Sequence, residues 1–166
     1  MRPDEYEVLG KLTVSEYTAV DSRTTDGSDG DDYATELADV SRRAADADVL
    51  VAVDGDGTVL GGVTYVPGPE SSSAEFDDPD TAGIRMLAVG AHAQGRGVGE
   101  GLVRACIARA VDAGKRHLAL HSTDRMTTAH RLYLRLGFVR DEAADWEVLP
   151  GFTLLGFRLD LPADDG

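Results

Sequence analysis

Cysteine is all but absent from this sequence. Cys106 stands alone, so no intrachain disulfide can form. It lies among apolar residues of a helical stretch, which predicts a reduced, buried thiol. A reactive nucleophile is the alternative, but no neighbouring feature argues for a lowered pKa. Long apolar runs are missing too: nothing reads as a signal peptide, and no stretch could span a bilayer. A soluble, cytoplasmic protein with no membrane partner is expected. Lysine is reduced to Lys11 and Lys115; every other cation is an arginine. His117 and His121 lie four apart with no carboxylate placed beside them, so no metal site is expected.

What the chain has in excess is acid. Thirty Asp and Glu face sixteen Lys and Arg, for a net charge of -14. Such a surface repels nucleic acid and anionic lipid at long range, so neither is expected as a partner. The acids are scattered through the sequence rather than gathered into one face for a basic partner. Their abundance predicts a halophilic source, where salt screens self-repulsion.

A length of 166 residues fits one domain, residues 1–166, with 161–166 as a frayed tail. Helical spacing of Tyr6, Leu9 and Tyr17 predicts a helix over Asp4 to about Val20. The Gly/Asp-rich stretch 21–32 reads as a loop, and 33–47 as a second helix. VLVAVD (49–54), GDG (55–57) and TVLGGVTYV (58–66) read as a hairpin. An acidic, Pro/Ser-rich loop follows over 67–80. Then come a strand (81–90), a helix (97–113), a strand (117–122) and a helix (127–137) stopped by Gly137. Residues 138–151 begin as a strand and turn irregular; 152–161 is a closing strand. The two strand–helix–strand units, 81–122 and 117–161, imply parallel pairing, while the hairpin is antiparallel. A mixed sheet with helices on its faces, an α/β fold, is the consistent architecture.

The stretch AHAQGRGVGEGLV places glycine at 95, 97, 99 and 101, at the mouth of the 97–113 helix. Helix N-termini carry amides without intrahelical partners and a positive dipole end. Glycines let a ligand approach that backbone closely, so the run can cradle a phosphate or pyrophosphate. It can equally be a turn needed only for strand-to-helix packing. The dinucleotide fingerprint fails, because its third glycine would fall on Glu100 or Leu102, and the P-loop pattern is absent.

Gln94-Gly95-Arg96-Gly97-Val98-Gly99 after the strand IRMLAV has the form QxxGxG. It resembles the acetyl-CoA loop of the GNAT superfamily of N-acetyltransferases. AHRLYLRLGF, 129–138, resembles that family's later motif AxxLYxxxGF. The resemblance implies a GNAT-like fold over nearly the whole chain, with acetyl-CoA as co-substrate. It implies that the amides of Gln94, Gly95, Arg96, Gly97, Val98, Gly99 and Glu100 hold the CoA pyrophosphate. Of the glycines, 97 and 99 occupy the pattern positions, Gly95 shapes the loop and Gly101 permits close helix–strand packing. The backbone of Leu87, Ala88 and Val89 would pair with the pantetheine arm where the strands 82–89 and 117–122 splay; plain core burial is the alternative for these side chains. Tyr133 matches the tyrosine that protonates, or hydrogen-bonds to, the departing thiolate. With a thiol pKa of about 8.5 and a tyrosine near 10, full transfer is uphill by about 2 kcal/mol, so a hydrogen bond is the safer role.

Two positions depart from the family pattern. Met126 stands where many relatives have an asparagine, and Gly83 where many have a glutamate that acts as a base. His121, Glu75, Asp80 or a water could accept the proton instead, or the acceptor could be an amine of low pKa. Trp146 belongs either to an acceptor wall or to the core. The expected activity is transfer of acetyl to a small-molecule or peptide amine by direct attack. A non-catalytic acyl-CoA-binding regulator or sensor is the alternative, and a phosphate-binding partner domain a more distant one. Relatives usually open with a strand ahead of the first helix. Its shortness or absence here would leave an edge open to pairing as a homodimer.

Overall fold

The computed structural model describes residues 3–20, 35–150 and 152–162. The expected 21–32 loop and the start of the second helix lie outside them. Helix α1 spans Pro3–Val20. A helical turn at 35–38 leads into α2, Val40–Ala44, capped by the Asp39 side chain accepting from Arg42 N–H at 3.1 Å. The expected second helix is thus broken at Asp39. The last carbonyls of the 35–38 turn find their donor in Arg43, which is buried and bonds Glu36 O at 2.7 Å and Leu37 O at 3.1 Å. Its Nε donates to Thr64 Oγ1 at 3.2 Å and so ties the turn to the sheet.

Seven strands form one sheet. β1 (Asp48–Val53) and β2 (Val59–Val66) are the expected hairpin. β3 (Thr81–Val89) pairs antiparallel with β2 and parallel with β4 (His117–Thr123). Helix α3, Val98–Asp112, makes the β3–β4 crossover. Helix α4, Thr127–Arg135, follows β4. The 117–161 unit departs from expectation, because β7 (Phe152–Asp160) runs antiparallel to β4 over seven residue pairs. Two short strands explain the reversal. β5 (Val139–Arg140) and β6 (Trp146–Leu149) both pair antiparallel with β7, so both run in the direction of β4. The helix crossover does deliver a strand parallel to β4, but β7 then returns as a hairpin and inserts between β4 and β5. The segment expected to be irregular supplies β6. Of the expected tail, Leu161 is held by its N–H donating to Arg116 O at 2.8 Å; residues 163–166 lie outside the described ones.

α3 and α4 cover one face of the sheet. Leu102, Val103, Cys106 and Ala110 from α3 meet Ile84, Leu118, Leu120 and Phe157 from the strands in the main core. On the other face α1 crosses β2 and β3, and a smaller cluster joins Tyr17 and Leu37 to Met86 and Ala88. Cys106 is fully buried in the main core, and burial pushes its thiol up to about 12. A thiol reagent is therefore expected to leave native Cys106 unmodified for hours at neutral pH and to react fully in denaturant. Rapid reaction of the folded protein would contradict this.

Candidate active site

β3 and β4 hydrogen-bond only from Thr81–His117 to Ile84–Leu120. Beyond that pair the two strands part. The cause lies in β3. Opposite β2, the register runs Gly62 to Ala88 and Thr64 to Arg85, so β3 carries one extra residue in a bulge. Met86 within it has φ of 55°, in the left-handed region that a residue with a Cβ avoids. That strain is worth about 1–3 kcal/mol and is held by packing on both faces. The bulge turns the end of β3 away from β4 and leaves a cleft through the sheet.

A cavity of 420 Å³ occupies this cleft. It is bounded on the α3/α4 side by Gly95, Gly97, Gly99, Leu132 and Tyr133, and on the α1 side by Glu16, Tyr17, Arg85 and Met126. Leu87, Ala88 and Val89 run along it, and His121 and Ser122 face them from β4. Leu87 also packs on the main core and Ala88 on the smaller cluster, so these positions combine core packing with lining the cavity.

The loop ahead of α3 is built from a short 3-10 turn, 91–93, and two left-handed glycines, Gly95 (φ 79°) and Gly97 (φ 78°). Gly97 is the residue before the helix, and the first intrahelical bond runs from Gly101 N–H to Gly97 O at 3.0 Å. The amides of Val98, Gly99 and Glu100 precede that bond and have no intrahelical acceptor. Among the described residues, and apart from the adjoining ones in the chain, no atom lies within 4 Å of where a side chain at Gly95 or Gly97 would begin. An anion can therefore reach these amides, and the loop passes this test of fit for a pyrophosphate. Gly99 would meet Leu132 and Val89 only at ordinary contact distance, 3.5 Å. Gly101 is exposed with nothing near it, so the expected close packing there is absent.

The side chains of Gln94 and Arg96 differ in placement, and Gln94 lines the cavity. Gln94 Nε2 donates to Glu16 Oε2 at 3.1 Å and ties the loop to α1. Arg96 is exposed and does not line the cavity; Arg125 and Arg135 do, and sequence spacing gave no sign of them. The Glu100 carboxylate, a poor neighbour for an anion, is engaged by Arg104 at 3.2 Å and Arg135 at 3.9 Å.

Tyr133 is placed by the way α4 ends. Gly137 has φ of 103°; its N–H bonds Leu134 O at 3.1 Å and Phe138 N–H bonds Tyr133 O at 3.0 Å. This helix-ending motif brings Phe138 onto Tyr133, with ring centroids 5.7 Å apart. Phe157 flanks the same ring at 5.8 Å. Burial pushes the Tyr133 phenol above its ordinary value, so it stays protonated as a donor. Met126 gives the cavity an apolar wall where a polar side chain was the family expectation.

The candidate proton acceptors separate cleanly. Asp80 is exposed and outside the cavity lining, its carbonyl accepting from Arg116 N–H. His117 sits at the far end of β4 against Asp160, 2.9 Å away. His121 lines the cavity, with Glu75 Oε2 at 3.7 Å from its Nδ1. Gly83 offers no room for a carboxylate: a Cβ there would lie 2.6 Å from Phe76 Cε1. Trp146 is half exposed and stands edge-on to His121 at 6.4 Å, so it is not a core residue. Among the described residues, no group of three or more His, Cys, Asp or Glu is placed to hold a metal ion, and no helix is long and apolar enough to cross a membrane.

A mixed sheet split at one strand pair, with a helix N-terminus facing the gap, places the chain in a class of α/β folds with a cleft through the sheet. The family model for the Acetyltransferase (GNAT) family matches residues 13–138, and the chain belongs to that family. Solved structures agree in fold. A GNAT-family acetyltransferase from Staphylococcus aureus Mu50 superposes with a TM-score of 0.73 at 13% identity, covering 98% of this chain and 96% of the other. The yncA structure from Salmonella typhimurium, solved with its cofactor acetyl-CoA, gives 0.67 at 19% identity, covering 100% and 94%. PaiA N-acetyltransferase from Thermoplasma acidophilum, in complex with coenzyme A, gives 0.73 at 11%, covering 96% and 95%. No curated protein matches the chain.

Gly97 and Gly101, both exposed, have opposite expected responses. Gly97→Ala should destabilise the protein by about 1–2 kcal/mol through its left-handed φ, although space is open there. Gly101→Ala, inside a regular helix, should stabilise it by about 0.5–1 kcal/mol. Denaturant unfolding of both variants checks the pair.

Proposed function

We propose that this single-domain protein transfers acetyl from acetyl-CoA to a small-molecule or peptide amine by direct attack. One observation carries the reading: a single 420 Å³ space is lined by Gly97, Val98, Gly99 and Glu100 at the start of α3, by Tyr133, and by Glu16 and Tyr17 of α1. The amides of residues 95–100 bind the pyrophosphate. The backbone of Leu87, Ala88 and Val89, unpaired toward β4, pairs with the pantetheine arm. Acetyl-CoA supplies a thioester, an acyl carbon already activated for attack. Tyr133 donates a hydrogen bond to sulfur as negative charge gathers there; with its pKa raised by burial, a hydrogen bond is favoured over full proton transfer. The amine arrives from the side of Tyr17, Arg85 and Trp146. The net charge of -14 argues against polyanionic acceptors.

Tyr133→Phe is expected to lower turnover on the order of 10²-fold while leaving acetyl-CoA affinity within about twofold, as removal of a single donor should. Gly97→Val should instead abolish acetyl-CoA binding in a folded protein, read by loss of thermal stabilisation by the ligand. Release of CoA thiol across a panel of amines separates catalysis from mere binding. Unchanged turnover in Tyr133→Phe would remove that residue from the chemistry.

We also infer a salt-rich cytoplasm as the working solvent. At -14, self-repulsion opposes the compact state and salt screens it. The unfolding temperature should climb as KCl rises from about 0.1 M into the molar range. A flat or falling trend would contradict the inference.

A further inference from the structure

The β2–β3 connection does more than join two strands. Phe76 fills the space that a side chain at Gly83 would need. The residue before it, Glu75, is largely buried and lies against two partners. Its Oε1 accepts from Arg85 Nε at 3.1 Å, and its Oε2 is 3.7 Å from His121 Nδ1. On the other side of the ring, His121 Nε2 is 2.8 Å from Ala144 O. A carbonyl only accepts, so Nε2 carries a proton and Nδ1 holds the basic lone pair of the neutral ring. His121 lines the cavity, whereas Glu75 does not.

We propose that His121 accepts the proton of the attacking amine and that Glu75, carried in by the 67–80 connection, positions the ring and stabilises that proton. The proposal rests on the acetyl-transfer reading above. As the amine nitrogen bonds to the acyl carbon and the C–S bond breaks, the amine proton passes to His121 Nδ1. The sulfur leaves with the C–S electron pair and ends as a thiol after gaining one proton. One proton is lost at nitrogen and one gained at sulfur, so the products are an amide and CoA.

The charges around the ring favour this assignment. Glu75 faces it from the connection, Arg85 from β3 and Asp145 from the turn before β6; Glu16 of α1 lies on the same cavity. Arg85 opposes a proton on His121, but it is itself paired with Glu75 and with Glu36 at 3.3 Å. Asp145 is clasped by Arg140 at 2.8 and 2.9 Å, and Glu16 accepts from Gln94. Glu75 is therefore the dominant partner. The contact with its carboxylate raises the His121 pKa above the ordinary value against the effect of burial, and the same pairing together with Arg85 holds Glu75 below the ordinary range. A histidine so raised is a base matched to a pH near or somewhat above neutral. Activity should rise as pH climbs through that raised value, because only the neutral ring can accept.

Two measurements test this. NMR titration of the His121 ring in protein free of acetyl-CoA should show a pKa above the ordinary histidine value, falling measurably in Glu75→Gln. The acidic limb of kcat/KM against pH, measured with an acceptor found in the CoA-release assay, should move to lower pH by the same amount. Glu75→Asp, which keeps the charge, should hold both closer to wild type. His121→Gln should lower kcat by about 10²- to 10⁴-fold with acetyl-CoA affinity preserved. An unmoved titration and limb in a folded Glu75→Gln, or near-full turnover in His121→Gln, overturns the proposal alone. A wild-type protein that binds no acetyl-CoA, or releases no CoA with any amine, overturns the acetyl-transfer reading and this proposal with it.

Discussion

The separation of β3 from β4 is the constraint on which the rest depends. A parallel pair would ordinarily continue its ladder and close the sheet. Here the extra residue near Met86 ends it at Ile84–Leu120 and leaves the later backbone of β3 without a neighbour on that side. Unpaired backbone groups are costly when dry, so the gap is suited to water or to a ligand that offers its own amides. The strain at Met86 is carried by contacts on both faces: Leu87 and Ile84 toward α3 and α4, Met86 and Ala88 toward Tyr17 and Leu37.

The second constraint is electrostatic. Any anion approaching the loop meets a protein with an excess of fourteen negative charges. Backbone amides and a helix dipole supply local positive potential that surface charge does not cancel at short range. The acidic side chains closest to the loop are engaged individually, Glu100 by the cations Arg104 and Arg135, Glu16 by a hydrogen bond from the neutral amide of Gln94. The same economy of cations is seen across the cleft, where Arg85 serves both Glu36 and Glu75. Few charges near the cavity are left to a long-range role.

Much of this was legible in one dimension. Glycine at 95, 97 and 99 before an amphipathic helix announced a helix mouth open to an anion, because glycine's backbone freedom is a local property. Gly137 followed by Phe138 announced the end of α4 in the same way. Local signals failed where pairing is decided at a distance. The direction of β7 could not be read, since the short β6 that permits the return is stabilised only by its partner. Gly101 looked like a packing glycine and faces open space. Trp146 and Glu75 lie in segments without periodicity, and nothing in their spacing links either to His121.

The sequence by itself determined most of the element types, the open glycine-rich helix mouth and the family motifs, because each rests on contacts between residues close in the chain. The tertiary structure alone decided where the sheet opens, which cations meet Glu100, and that Phe76 occupies the side-chain space of Gly83 while Glu75 meets His121. Those outcomes depend on the bulge in β3 and on the folding back of the 67–80 connection. Both are settled by packing between segments far apart in the chain, whose energy no local propensity records.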